Sequence, residues 1–263
     1  VANLRSATVH ALAIACVVQA ACVHVPSELG SLGAGQASAT VLPVQFTLLS
    51  WNLHKQRHPR FEAELLRFGV GVELLVLQEA VEWEPVWSLL PGEHAWTLVI
   101  AFEYGCDRTA AGVATGSVAA PLRQQPLLSP IREPLLRTPK SSLATWFEVE
   151  GERGPMLLVN LHGINFRPAG ALDAQLRELD PLLAAHEGPL VVAGDFNTWS
   201  GRRREILAAF VARHRLRSAY EDRPRPRLHD DVYVRDLLVL DAEVLASRSS
   251  DHDGLRVELE VAP

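Results

Sequence analysis

The stretch Pro189–Asn197, PLVVAGDFN, decides the fold. Leu190, Val191, Val192 and Ala193 follow one another with no polar residue between them, as in a strand covered on both faces. The run then ends in Asp195 and Asn197, two apart, which an extended backbone would point to one side. The same pattern recurs outward in both directions: VQFTLLSWN, ELLVLQE, WTLVIAF and GVATGSVAA before it, SLATWFEVE and PMLLVNLH next to it, DVYVRDLLVL and LRVELEV after it. Between these runs, helical spacing of apolar residues predicts helices over Arg60–Phe68, over Gly170–Ala185 (Leu172, Leu176, Leu179, Leu182, Leu183) and over Arg203–His214. Many short strands with few helices predict layers, α/β or α+β, with two sheets packed together and helices outside.

The chain has 263 residues, 48% hydrophobic and 21% charged, an ordinary globular mixture rather than a disordered or fibrous one. A formal net charge of −6 argues against a general polyanion binder held by bulk positive charge. Of the 25 basic residues, only Lys55 and Lys140 are lysines, a skew of the kind GC-rich coding also produces. Three cysteines make no disulfide framework.

Residues 1–22 read as a separate object. Arg5 precedes an apolar run from Ala11 to Cys22, shorter than the roughly 20 residues that span a bilayer, so the pattern is that of a secretory signal. Val18-Gln19-Ala20 fits signal-peptide cleavage. Ala20-Ala21-Cys22 fits a lipoprotein signal, with Cys22 lipidated as a membrane anchor. The expected location is accordingly periplasmic or membrane-anchored; mass spectrometry of exported protein should show processing at Ala20 to Cys22, and an intact Val1 would exclude it. Residues 23–40, rich in Gly, Ser and Ala, read as a flexible linker, with the folded domain spanning 41–263.

Four strands run into polar residues at their C-terminal ends: Asn52, Glu79, His162 and the pair Asp195/Asn197. Further on, Asp230-Asp231 opens a strand and Ser250-Asp251-His252-Asp253 precedes the last one. Carboxylates, amides and histidines gathered at one rim would suit a divalent cation and a phosphate, and oxygen ligands favour Mg²⁺. Zinc-type Cys/His spacing is absent.

Trp51-Asn52, Gln78-Glu79, NLHGIN from Asn160 to Asn165, GDFN from Gly194 to Asn197 and SDH from Ser250 to His252 together resemble the endonuclease/exonuclease/phosphatase superfamily, the deoxyribonuclease-I-like fold. SWNLHKQ, GVATGS and REPLLRTPKSSLAT are similar to a small bacterial branch of it. The resemblance implies a four-layer α/β sandwich of two packed mixed β-sheets with helices on the outer faces. It implies a metal site of Glu79, Asn52 and Asp251 for Mg²⁺ or Mn²⁺. His252 would act at the scissile phosphate, with Asp230 as its partner; Asp231 is the alternative partner, because the Leu228–Val234 segment departs from the usual pattern. Asp195 and Asn197 would orient the nucleophile, and His162 would stand on the phosphate side. Asn165 and, in the GCDRTAAG loop, Arg108 are candidate substrate contacts.

The expected function is therefore Mg²⁺-dependent phosphodiester hydrolysis by a monomer, with DNA or RNA as the first substrate candidates. A phosphatase or phospholipase-type enzyme acting on a lipid or inositol head group is the alternative, and an inactive envelope binding module the third reading. Nine arginines between Arg202 and Arg227 could contact phosphates, or simply form a solvated helix face and loop. Trp199, Trp83, Trp87 and Trp96 could stack on bases, or pack in the core.

Overall fold

The computed structural model describes residues 23–82, 94–224 and 229–262. The expected leader with Cys16 and Cys22, together with Trp83, Trp87, Arg225 and Arg227, lies outside the described residues.

The chain runs β1 (Val23–His24), β2 (Ser31–Ala34), β3 (Gln45–Asn52), α1 (Phe61–Gly69), β4 (Leu74–Val81), β5 (Ala95–Tyr104), β6 (Thr109–Ser117), β7 (Arg123–Leu128), β8 (Ser141–Phe147) and β9 (Met156–His162). It continues through α2 (Ala169–Ala184), β10 (Leu190–Asp195), α3 (Gly201–Arg213), β11 (Arg217–Ser218), β12 (Asp230–Arg235), β13 (Leu237–Leu245) and β14 (Gly254–Val261). One sheet has the order β1-β5-β6-β4-β3-β14-β13, with β2 also on β5; the other has the order β11-β12-β10-β9-β8-β7. Both are mixed. β3 and β4 are parallel, as are β9 and β10, and each parallel pair is joined by the helix that such a crossover requires, α1 and α2 respectively.

Side-chain alternation builds the layers. Phe46, Leu48, Leu74 and Val76 of the first sheet meet Met156, Leu158, Val191 and Ala193 of the second, all buried between the sheets. The opposite faces, Leu49, Leu75 and Leu77 in one sheet and Leu157, Val159 and Val192 in the other, pack under α1 and under α2 and α3. Each such side chain contributes about 1.5–3 kcal/mol of burial. The result is the expected four-layer sandwich, helix–sheet–sheet–helix.

Three local expectations differ. Within the stretch read as a linker, Ser31–Ala34 pairs with β5 as an edge strand, and Ala39 bridges to Ala119; backbone pairing at an open edge needs no apolar pattern. DVYVRDLLVL is not one strand: Asp236, at φ 56°, turns the chain from β12 in one sheet to β13 in the other. The half-exposed β7, RQQPLL, lacked the apolar run that marks the others.

Candidate active site

The two parallel pairs end side by side, and their C-terminal ends carry Asn52, Glu79, His162 and Asp195. Asn52 and Asp195, on different sheets, meet directly: Asn52 Nδ2 donates to Asp195 Oδ2 at 3.2 Å, in a buried setting. Glu79 arrives by a different device. Strict alternation would send it outward with Leu77, but the β4–β6 register shifts between Leu77 and Ala80, and Glu79 takes φ 49°. A bulge of this kind re-aims one side chain. It brings Glu79 Oε1 to 3.9 Å from His162 Nε2, which is itself 3.6 Å from Asp195 Oδ2.

GDFN is shaped by contacts at both ends. A Cβ on Gly194 would stand 1.9 Å from the Leu161 carbonyl oxygen, so only glycine lets β10 approach β9 here. Asn197 is not extended, as the two-residue spacing had implied; at φ 50° it curls back, its N–H donating to Asp195 Oδ1 at 2.9 Å and its Nδ2 to Asp195 Oδ2 at 3.0 Å. The pair is joined by this turn, not by strand alternation. Phe196 is thereby free to enter the core. Beneath the turn lies Arg203, fully buried. Its Nε donates to the Asn197 carbonyl at 2.6 Å, and its other nitrogens donate to the carbonyls of Arg167 and Ile164. Of the arginine-rich run, this member pins the two site loops together and is neither a phosphate contact nor a solvated residue.

His252 and Asp230 complete the row: Nδ1 lies 2.6 Å from Asp230 Oδ2. Asp231 points the other way, accepting from Ser218 Oγ at 2.7 Å, so the choice of histidine partner falls on Asp230. Asp251 is exposed and lies 3.4 Å from His54 Nδ1. The loop carrying these residues hangs on Glu64 of α1. Glu64 Oε2 accepts from Ser247 Oγ, Ser249 Oγ and the Ser249 N–H, and the Arg248 N–H bonds the same carboxylate, at 2.6–3.1 Å. Burial opposes ionisation of Glu64, but these four donors outweigh it and hold its pKa below the usual value. A depressed carboxyl adds stability above its unfolded pKa, lost as pH falls through the folded value. Glu64→Gln is therefore expected to destabilise the protein by about 2 kcal/mol at pH 7. The gap between variant and wild type in thermal denaturation should begin to narrow as pH falls below the unfolded value of about 4.3 and go on narrowing toward the folded one; a gap independent of pH would refute the charged anchor.

Asn165 and Arg108 are already engaged. Asn165 Oδ1 accepts from Trp199 Nε1 at 3.0 Å, and its N–H bonds Glu133. Arg108 Nε bonds Glu103 across the β5–β6 hairpin at 2.7 Å. Trp199 is half exposed, whereas Trp96 is buried. Two residues not selected from the sequence stand at the site: Lys140 Nζ lies 3.7 Å, and Lys55 Nζ 4.0 Å, from the Glu79 carboxylate. The signal was present in the composition, since the chain has no other lysine.

Environment sets the charges. Burial works against protonating His252, but its bond to Asp230 and the charges of Asp230, Asp195 and Asp251 outweigh this and raise it to about 9. Burial, then the Lys140, His252 and Lys55 charges, drive His162 well below its usual value, so it stays neutral. Burial and the Asp230 charge push Asp195 upward. Among the described residues, Asp195, Asp230 and His252 offer ligand atoms all within 4.8 Å of one another. Because Asp230 and His252 spend facing atoms on each other, a hard cation is better served by the oxygens of Glu79 and Asn52 beside them.

A buried acid, an amide and a charged His–Asp pair gather at one rim of a two-sheet sandwich, the kind of titratable cluster that marks a candidate active site. The chain belongs to the endonuclease/exonuclease/phosphatase family, whose profile matches residues 49–252. It is 31% identical over 245 residues to UPF0294 protein YE0917 of Yersinia enterocolitica, covering 89% of this chain and 92% of the relative. It is 34% identical to a UPF0294 protein of Klebsiella pneumoniae, covering 80% of each. Among solved structures, the fold matches an endonuclease/exonuclease/phosphatase of Beutenbergia cavernae (TM-score 0.62, 18% identity, 83% of this chain and 72% of that one). It also matches the human Nocturnin catalytic domain with bound sulfate (TM-score 0.61, 17% identity, 89% and 99%), and sphingomyelinase C of Streptomyces griseocarneus (TM-score 0.59, 16% identity, 81% and 99%).

Proposed function

We propose that the protein is a Mg²⁺-dependent phosphodiester hydrolase, with nucleic acid as the first substrate candidate and water as nucleophile. The observation that carries this is the His252–Asp230 bond placed beside Asp195 and Asn197. Asp195, buried and with its pKa raised, is suited to take a proton from water. Asn197, whose Nδ2 donates to Asp195 and to the Gly163 carbonyl, keeps its Oδ1 to accept a hydrogen bond from that water. His252 has Nδ1 committed to Asp230, leaving Nε2 to act on the substrate. Protonated at neutral pH, it favours charge stabilisation and proton donation to the leaving oxygen over abstraction of a proton from water. Neutral His162 serves as a hydrogen-bonding partner of a nonbridging oxygen. Glu79 and Asn52 would hold a divalent cation, which would supply positive charge beside the scissile phosphate.

The test is turnover of plasmid DNA, single-stranded DNA, RNA, sphingomyelin and phosphoinositides, with Mg²⁺ or Mn²⁺ and with EDTA. Hydrolysis of a nucleic acid that EDTA abolishes is expected. Lipid turnover alone would move the reading to a phospholipase type. No turnover of any of them would leave the protein a binding module.

A further inference from the structure

The chain's two lysines converge on one carboxylate from unrelated parts of the sequence. Lys140, with its side chain mostly buried, directly precedes β8 and also pairs with Glu133 at 3.3 Å. Lys55 comes from the turn after β3. Both ammoniums stand 3.7–4.0 Å from Glu79, beyond hydrogen-bond length; they are near its charge without spending a bond on it.

The turn that delivers Lys55 is strained. His54, Lys55 and Gln56 have φ values of 47°, 57° and 55°, three consecutive left-handed residues, none of them glycine. In each, Cβ crowds a carbonyl oxygen. The surroundings enforce this: Gln56 Oε1 accepts the Val81 N–H at 2.7 Å, the His54 N–H donates to Asn52 Oδ1 at 3.1 Å, and the Leu53 N–H to the Gln78 carbonyl at 2.9 Å. Enforced strain at the rim of a site points to a binding role. Between the lysines, Glu79, His162, Glu133 and Thr138 wall a niche of about 50 Å³ over Phe102. A cavity needs about 10–15 Å³ to admit a water, so the niche has room for a small polar group such as a phosphate oxygen.

We propose that Lys55 and Lys140 form a subsite for a second phosphate group, so that the preferred substrate carries a phosphate next to the scissile ester. The inference rests on the hydrolase reading for its substrate, not for its ligand. Were a divalent cation to meet the Glu79 charge, Lys55 would be left to face an anion, and Lys140 would share its three donors between Glu133 and that anion; a compact lysine charge suits phosphate without bidentate geometry.

Isothermal titration of the full chain with inorganic phosphate, in the presence of Mg²⁺, decides the point without turnover. Wild type should bind, and Lys55→Gln and Lys140→Gln should each weaken binding at least fivefold. Lys55→Gly should raise Tm, because glycine accepts the left-handed turn, while weakening phosphate binding as much as Lys55→Gln does. No binding by wild type, or Lys55→Gln within twofold of it, overturns the subsite. Kinetics tell apart the sources of such a phosphate: kcat/KM for 5′-phosphorylated against plain dithymidylate, and for phosphatidylinositol 4-phosphate against phosphatidylinositol. Lys55→Gln should bring toward unity whichever ratio exceeds one; ratios unchanged from wild type overturn the proposal. Phosphate binding without turnover of any ester removes the hydrolase reading and leaves the subsite standing.

Discussion

His252→Ala should lower kcat by about 10²–10⁴-fold, the usual contribution of a positioned proton donor, while the protein stays folded. The backbone contacts that place residue 252 survive the change: Trp51 Nε1 still donates to its carbonyl at 3.1 Å, and its N–H still donates to Ser250 Oγ at 3.1 Å. What is lost is one charge-assisted bond to Asp230, worth about 1.5–3 kcal/mol. Asp230, already pushed upward by burial, then loses the partner that favoured its charged form. Asp230→Asn should fall in the same range, and the double variant little further, because the two residues act as a unit. The measurement is kcat and KM on the ester that wild type hydrolyses, with circular dichroism as the folding control. Full activity in His252→Ala would remove the His–Asp pair from the mechanism.

Asn160→Ala should be the most destabilising of the substitutions considered, by about 4 kcal/mol, although Asn160 touches no catalytic group. The residue is fully buried on β9. Its Nδ2 reaches the carbonyls of Leu77 at 3.2 Å and Ala114 at 2.9 Å, and Thr115 Oγ1 at 3.2 Å, while its Oδ1 accepts from Gln78 Nε2 at 2.9 Å. One side chain thus ties the second sheet to two strands of the first, directly under the site. Removing it strands several buried polar groups at about 1–3 kcal/mol each, which relaxation offsets in part. Urea denaturation should show a lower midpoint at unchanged slope. A loss under about 1 kcal/mol would mean that water replaces the amide.

Much of this site was legible because its strands are buried on both faces. A polar residue at the end of an apolar run stands out, and Asn52, Glu79, His162 and Asp195 were found that way. Asp230 was separable from Asp231 only in three dimensions, since adjacent strand residues face opposite layers. Lys55 and Lys140 were counted but not chosen as site residues, because neither lies in a strand run: one is placed by a left-handed turn, the other by a loop. Asn160 and Arg203 were quoted within motifs or charge runs, but nothing in the sequence marks a buried polar pin, whose partners are backbone carbonyls. The edge strands β2 and β7 were invisible for a related reason, being held by pairing without an apolar face.

The position of β14 has a temporal consequence. It lies between β3 and β13, in the interior of its sheet, yet it follows every other described strand in the sequence, and His252 stands two residues before it. A chain emerging from the ribosome therefore has nothing to join β13 to β3 until residues 250–261 follow. Until then Asp230 has no imidazole, and the loop that Glu64 anchors at residues 247–249 has no strand to lead into. Completion of the sheet and pairing of His252 with Asp230 are therefore one event.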